Sequence, residues 1–492
     1  MLLSKLLENI SDIETENFID TEIIGVESDS RSIQKGNLFV ALKGRTVDGI
    51  DFLDKAIELG CAAVICSNES ITEKQYPNLT TIRHKDPLWL LGKLLNKFYP
   101  EKPRHILAVT GTNGKTSIVE IIRKILETLG YNSASIGSLG LNCKGANVKE
   151  DTLTMHETVD VHKKLNYLKK EKNIDYLAVE ATSQGMDQGR LSGVTPEIGA
   201  FTNITQDHLD YHTTMENYFR CKMILFEELL KKQSPVVLNA DIPEFEKISR
   251  VCKKQGHKII SYGYNGNLKL LKIEPGEHSQ KIYLEYQNKK YEANINLIGE
   301  FQIYNLLCAL GMILSLNLKE SFNQILKTAE SLKSAAEGRM QLAGIKNNGA
   351  AIYIDYAHSP DALTQALKAL RKHLKDSNSK GRLCVVTGCG GDRDPSKRPK
   401  MGKVANDLAD VVIITEDNPR SEDPAQIRKE VLATCPKGIE IEGRPEAIRE
   451  AISMLEEGDI LLLANKGHER YIIDKNGKQP YNEPEIVTEC IK

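Results

Sequence analysis

The chain has 492 residues, 65 Lys+Arg against 67 Asp+Glu, and 40% hydrophobic side chains. Domains usually run to about 100–200 residues, so this length predicts about three. Balanced charge argues against a nucleic-acid partner, and ten scattered cysteines with no C-x-x-C pair argue against a zinc or disulfide framework. No run approaches the ~20 apolar residues of a membrane span.

The N-terminal stretch MLLSKLLENISDIETENF carries acids early and lacks both a long apolar run and a small-residue cleavage site. It does not read as a signal peptide, so reduced thiols and a cytoplasmic location are expected. A first boundary falls at Tyr99-Pro100-Glu101-Lys102-Pro103-Arg104, and a second falls near Ser331–Arg339. The pieces are 1–102, 103–334 and 335–492. The middle piece opens on a strand, His105–Thr110, followed by a glycine loop. A helix comes next, whose Ile118, Ile121, Ile122, Ile125, Leu126 and Leu129 form one apolar stripe. Further strands are expected at Tyr176–Glu180, Ile198–Asn203 and Pro235–Asn239, and a helix over Tyr218–Leu230. In the last piece, strands at Ala351–Asp355, Arg382–Thr387, Val411–Thr415 and Asp459–Leu463 alternate with helices. Those helices are Asp361–Leu374, Lys400–Leu408, Pro424–Thr434 and Pro445–Leu455. Such alternation predicts an α/β fold of parallel sheets wrapped by helices, with ligands at the strand ends.

Residues 110–117 read TGTNGKTS between a buried strand and an amphipathic helix. Gly111 and Gly114 let backbone N–H groups of the loop, including Thr112 and Asn113, turn toward a phosphate. Lys115 offers a point charge, Thr116 a hydroxyl for Mg²⁺, and the helix start at Ser117 its partial positive charge. The loop is shorter than G-x-x-x-x-G-K-[ST], since the first glycine would fall at Val109. The bland reading is a strand–helix turn with a solvated lysine.

The short loop G-T-N-G-K-T resembles that of the Mur ligases and of the related folylpolyglutamate synthases. Segments 28–60, 179–193, 201–229, 353–363, 388–399, 416–424 and 465–469 resemble, in order, the Mur ligases that add the third amino acid of the peptidoglycan peptide. The resemblance covers nearly the whole chain. It implies a UDP-sugar-binding α/β domain at 1–102. It implies a central P-loop ATPase-like parallel sheet at 103–334 and a Rossmann-like amino-acid-binding domain at 335–492. The implied activity is ATP-dependent ligation of meso-2,6-diaminopimelate to the D-glutamate carboxylate of UDP-N-acetylmuramoyl-L-alanyl-D-glutamate. An acyl phosphate is the implied intermediate, Mg²⁺ the cofactor, and a monomer the expected state. The competing readings are a lysine-adding or folate-directed ligase and, from another class, a P-loop regulatory switch.

By the same resemblance, Glu180, His208 and Thr116 are metal ligands. Lys222 is a lysine carbamylated by CO₂, whose carbamate is an oxygen ligand for a second Mg²⁺; its alternative is a plain surface or ion-pair lysine. Glu180 ends a buried strand, where a carboxylate is costly without a cation; its alternative is a salt bridge to a core lysine. Asn305, Arg339, Asp355 and His358 fall to the nucleotide. Ser28, Ser30, Arg31, Thr154, Ser183, Gln188 and Arg190 fall to the sugar-peptide. Arg393, Asp417, Asn418, Pro419, Arg420, Asn465 and Glu469 fall to diaminopimelate, with arginine for its distal carboxylate and glutamate for its ammonium. The sequence departs from the family pattern at Met155-His156, Gln184, Gln302, Glu337-Gly338 and Asn465, the last a usual glycine.

Overall fold

In Asn37–Val40 and Ala63–Ser67 alternate residues point to opposite faces and both faces are buried, whereas Thr80–His84 buries Thr80, Ile82 and His84 on one face and turns Thr81 and Arg83 to the other. Strands buried on both faces belong inside a parallel sheet covered on both sides. The computed structural model describes all residues except 45–46, 71–75, 149–156, 277, 377–379 and 492. It places these strands in a five-stranded sheet. The order is Glu14–Glu16, Thr80–His84, Ala63–Ser67, Asn37–Val40, Gly25–Glu27, antiparallel only at the first edge. Leu38, Val40, Ile65 and Ile82 face Leu90, Leu91, Leu94 and Leu95 of helix Pro87–Phe98. Phe39, Val64 and Cys66 face Leu53 and Ala56 on the other side.

Contacts group the chain into two compact units. One comprises Met1–Asn113, Gly130–Val236 and Glu246–Ile259; the other comprises Gly114–Leu129, Val237–Phe245 and Ile260–Lys492. Besides the sheet above, the first unit holds parallel strands in the order Ile198–Phe201, His105–Thr110, Tyr176–Glu180, Ser133–Gly137. Antiparallel strands Gly140–Cys143 and Ala146–Val148 extend that sheet.

In the second unit, Leu268–Pro275, Gln280–Tyr286 and Lys289–Ile295 form an antiparallel meander. The last 150 residues build a six-stranded sheet. Its order is Gln341–Ile345, Ala351–Ile354, Ile460–Leu463, Leu383–Thr387, Val411–Ile414, Gly438–Glu440, antiparallel only at the first strand. Residues of helices Pro360–Asp376, Lys397–Leu408 and Pro424–Leu432 pack on one face, and those of Arg444–Ser453 and Glu483–Cys490 on the other. This matches the strand–helix alternation read from the sequence. The loops after Ile354, Thr387, Ile414 and Leu463 gather at the strands' C-terminal ends, where such sheets bind ligands.

All ten cysteines are free; eight are buried, and Cys61 and Cys490 are half-buried. Among the described residues no helix is long and apolar enough to cross a membrane.

Candidate active site

Strand His105–Thr110 runs into the glycine loop, and helix Lys115–Thr128 leaves it. Gly111 has φ 145° and Gly114 φ 91°, conformations that side chains resist. A Cβ on Gly111 would run into Thr202 Oγ1, and one on Gly114 into Asn305 Oδ1. Thr202 Oγ1 donates to Asn113 O (2.7 Å), and Asn113 N donates to Asn203 Oδ1 (2.9 Å). Gly114 has no side chain to cap the helix that follows. Thr116 and Ser117 are buried, Lys115 half-buried and Asn113 exposed.

Glu180 is 2% exposed at the end of its strand. Its Oε1 accepts from Ser138 N at 2.8 Å, and Oε2 lies 3.5 Å from Ser138 Oγ. A Cβ on Gly137 would overlap this carboxylate, so glycine makes room for it. No cation meets Glu180 among the described residues, which removes the core salt bridge as its explanation and fits a metal ligand. Lys222 is 1% exposed, which overturns the surface alternative. Its Nζ donates to Gly111 O at 2.7 Å and lies 4.3 Å from the Tyr218 ring centroid. Tyr218 OH is 3.1 Å from Thr112 Oγ1, and burial pushes that phenol up to about 12. His208 sits exposed at φ 52°, with Nε2 3.4 Å from Asp207 Oδ2. Among the described residues no three His, Cys, Asp or Glu side chains gather as a metal cluster. Mg²⁺ held mainly by phosphate and water oxygens needs only one or two protein oxygens, and a buried carboxylate such as Glu180 can supply one.

In the second unit, Asn305 Nδ2 donates to Gln302 Oε1 (3.1 Å), and Gln302 Nε2 donates to Arg339 O (3.3 Å). The departure at Gln302 therefore links Asn305 to the residue-339 turn. Gly338 has φ 65°, and a Cβ there would strike Gly467 and His468; no side chain fits that contact. The Arg339 guanidinium lies 4.7 Å from the Tyr356 ring centroid. Asp355 Oδ2 accepts from Met340 N at 2.6 Å, yet burial pushes the carboxyl up to about 6 against the pull of Arg339. Exposed His358 keeps Nδ1 2.9 Å from Tyr356 O.

Nearby in the same unit, two loops interlock. Gly391 N donates to Asn418 O (2.9 Å), Arg420 donates to Gly391 O (2.8 Å), and Ser421 Oγ donates to Asp392 (2.6 Å). Arg420 itself is at φ 53°. Asn418 is buried. Its Nδ2 donates to Glu469 Oε2 (2.9 Å), and its Oδ1 accepts from Lys466 Nζ (2.7 Å) and Ile473 N (2.8 Å). Pro419 is buried between Asn418 and Arg420, and Arg393 is exposed on the facing loop. Asn465 keeps a left-handed backbone, φ 84°, which asparagine tolerates better than most residues. Its Oδ1 accepts from Thr387 Oγ1 and Gly388 N, so the side chain replacing a glycine hydrogen starts a new set of bonds instead of a clash. Asn418, Glu469 and Lys466 are thus bonded to one another, with Arg420 anchored beside them and Asn465 turned to Thr387 and Gly388.

In the first unit, Ser30 is buried and Ser28 half-buried; Arg31 folds back onto Asp29, with a 2.7 Å ion pair. Ser183 Oγ meets His212 Nε2 at 2.9 Å, Gln188 Nε2 donates to Tyr211 OH (3.2 Å), and Arg190 pairs with Glu157 (3.0 Å). Thr154, with Met155-His156, lies outside the described residues.

Three family descriptions match this chain: the Mur ligase catalytic domain over residues 22–99, the Mur ligase middle domain over 109–313, and the Mur ligase glutamate ligase domain over 338–467. The chain belongs to the Mur ligase family. Among curated relatives of this Mur ligase is the UDP-N-acetylmuramoyl-L-alanyl-D-glutamate--2,6-diaminopimelate ligase of Chelativorans sp. (strain BNC1). It is 40% identical, with 96% of this chain and 95% of the relative covered. The protein of the same name from Rickettsia rickettsii is 38% identical, with 96% and 97% covered. A solved structure of a ligase of that name superposes with TM-score 0.70 at 29% identity, covering 96% of both chains. MurF ligase from Thermotoga maritima shares the fold at TM-score 0.60, with 20% identity and 96% and 97% covered.

Within this Mur ligase, sequence reasoning missed Lys466, His212, Tyr218 and Tyr356. Lys466 carried a usable signal: it follows the apolar run Ile460–Leu463, as Glu180 ends its own buried strand.

Proposed function

We propose that this Mur ligase joins meso-2,6-diaminopimelate to the D-glutamate carboxylate of UDP-N-acetylmuramoyl-L-alanyl-D-glutamate, at the cost of ATP, in peptidoglycan synthesis. The observation that carries this reading is the 40% identity over 96% of the chain to a relative of that name. The gathering of Asp417, Asn418, Arg420 and Glu469 supports it.

ATP places its phosphates on Gly111–Ser117, with Asn305, Arg339, Asp355 and His358 serving the nucleoside and outer phosphates. The D-glutamate carboxylate attacks the γ-phosphorus, the bond to the β-phosphate oxygen breaks, and ADP leaves. The amine then attacks the acyl phosphate carbon; phosphate leaves, the nitrogen loses a proton, and the amide forms. Thr116, Glu180 and His208 would hold Mg²⁺, which would supply neutralisation of the phosphate charge. Lys115 adds a fixed charge to the same end, and the helix start orients the phosphates. Ser28, Ser30, Thr154, Ser183, Gln188 and Arg190 hold the sugar-peptide. Arg420 and Arg393 take the distal carboxylate of diaminopimelate and Glu469 its ammonium.

Lys222 belongs to this reading as a carbamate. Its ammonium first gives up a proton, the neutral amine then adds to CO₂ and loses a second, and the one N–H that remains still serves the Gly111 carbonyl. Roles divide as sugar at 1–102, ATP at 103–334 and amino acid at 335–492. An ATP-consuming enzyme works where ATP is kept, so the reading includes a cytoplasmic location.

Phosphate release tests the reaction. It is expected only when the UDP-sugar dipeptide and meso-diaminopimelate are both present. Release from ATP alone, unchanged by either addition, points to a P-loop switch and overturns the ligase.

A further inference from the structure

Lys466 is 0% exposed. A cation so enclosed is expensive unless every proton is matched. Its Nζ donates to Asn418 Oδ1 at 2.7 Å and to Glu469 Oε2 at 2.9 Å, and lies 3.6 Å from Asp417 Oδ1. Asp417 Oδ1 is itself buried and has no hydrogen-bond partner. The rings of Tyr471 and Tyr481 close the other side, 5.7 and 5.9 Å from Nζ.

This arrangement does two things to Glu469. Lys466 and Asn418 together occupy Oε2, so the carboxylate is locked in one rotamer. Oε1 is left with only a 3.5 Å contact from Tyr356 OH. Charge follows the same pattern: two carboxylates and one ammonium leave the cluster at −1, which one further ammonium cancels.

We propose, on the ligase reading above, that Lys466 is a positioning residue that fixes Glu469 and sets the cluster's charge, so that the cluster selects an incoming ammonium. It acts through Glu469 and Asp417 rather than on the substrate. Removing its charge leaves two carboxylates crowding each other in a buried site, so one holds a proton to higher pH. A protonated carboxyl no longer takes an ammonium. The other groups facing this cluster are Tyr356, Tyr471, Tyr481, Cys389, His358 and the Arg420 and Arg444 guanidinium groups; burial pushes the Tyr356 phenol and the Cys389 thiol up to about 12 and holds the His358 imidazole below its ordinary range, and the native enzyme, which keeps all of them, is the reference for the pH profile.

The experiment measures KM for meso-diaminopimelate, ATP and the UDP-sugar dipeptide between about pH 6 and pH 9. The variants are Lys466→Met, Lys466→Gln and Lys466→Arg in the full chain. Lys466→Gln is one atom shorter but keeps an N–H donor, so it reports on charge even where Lys466→Met fails to fold. Loss of the charge is expected to raise the diaminopimelate KM at least ~10-fold at the acid end and less at the alkaline end. ATP and sugar-dipeptide KM should hold within about twofold. Lys466→Arg should flatten the pH dependence again. An unchanged diaminopimelate KM in Lys466→Gln overturns the proposal. So does a pH-independent rise shared by all three substrates, and so does a Lys466→Arg profile that copies Lys466→Gln. A native enzyme that ignores diaminopimelate altogether refutes the ligase reading instead.

Discussion

In the proposed reaction, Arg420 is the residue that chooses between amines. Its guanidinium is anchored by Gly391 O, and Gly390 has no Cβ to crowd it; a Cβ there would sit 2.9 Å from the guanidinium. Charge-assisted bonds contribute about 1.5–3 kcal/mol, so Arg420→Ala should raise the diaminopimelate KM at least ~10-fold. The KM for ATP should stay unchanged. Asp355 offers a pH test. Its carboxyl titrates at about 6 in the fold, above its ordinary value, because burial disfavours the charge. Hydroxyl donors of a ribose favour the ionised form. Adenosine, which carries no phosphate to titrate, should therefore bind more weakly as pH falls through about 6, and Asp355→Asn should remove that dependence. Calorimetry at two pH values decides it. At this scale the sequence was a good guide where a motif is contiguous, as in Asp417–Arg420. For Lys466 it offered only the preceding apolar run, because the partner that makes that lysine unusual, Asn418, arrives from 48 positions away. The same limit hid His212: residue 184 is a glutamine, yet an imidazole still meets Ser183, supplied from residue 212.

The glycine loop shows what an element demands of its residues. Gly114→Ala places a side chain at φ 91° and against Asn305. The strained backbone alone costs about 1 kcal/mol or more. The expected result is at least a ~10-fold rise in ATP KM with little change in the diaminopimelate KM, read in the same phosphate-release assay. Strand–helix alternation was legible because buried parallel strands are unbroken apolar runs. Helix ends were less so. The stretch expected as a helix over Tyr218–Leu230 begins at Met215, where the Thr214 side chain accepts from Asn217 N, and its regular turns give way to a π-helical turn at Leu225–Leu229. The meander Leu268–Ile295 went unread. Ile282, Leu284, Ala293 and Ile295 share its buried face and Lys281, Glu285 and Glu292 the other, but a bulge at Leu270/Lys272 interrupts the alternation of the first strand; Gln287 and Asn288, both at positive φ, mark the hairpin turn.

Across the whole chain, one buried ion pair ties the C-terminal helix to the amino-acid site. Arg444 and Glu483 are both 0% exposed and 2.6 Å apart; Tyr481 OH adds a bond to Glu483, and Arg444 also reaches the carbonyls of Glu416 and Ala464. Glu416 and Ala464 border the Asp417–Arg420 and Asn465–Glu469 segments. Arg444→Met leaves Glu483 as an unpaired buried charge, so a loss of about 3–5 kcal/mol is expected, read as a lowered Tm. Nothing near residue 444 in the sequence announces this, because Glu483 lies 39 positions away. Domain organisation was legible only as punctuation by proline and glycine. The compact units interleave along the chain, and the helix Lys115–Thr128 groups with the C-terminal residues.

The free cysteines make this molecule its own unfolding reporter. Burial pushes Cys252, Cys308, Cys384 and Cys389 up to about 12. At pH 8 about one in ten thousand such thiols is a thiolate, and the fold shields even that fraction from a reagent. Maleimide added to the native protein should leave these four unmodified for as long as their surroundings hold. Cys252 lies in one compact unit and the other three in its neighbour. Mass-resolved labelling in rising urea should therefore time the melting of each unit separately, with no engineered probe.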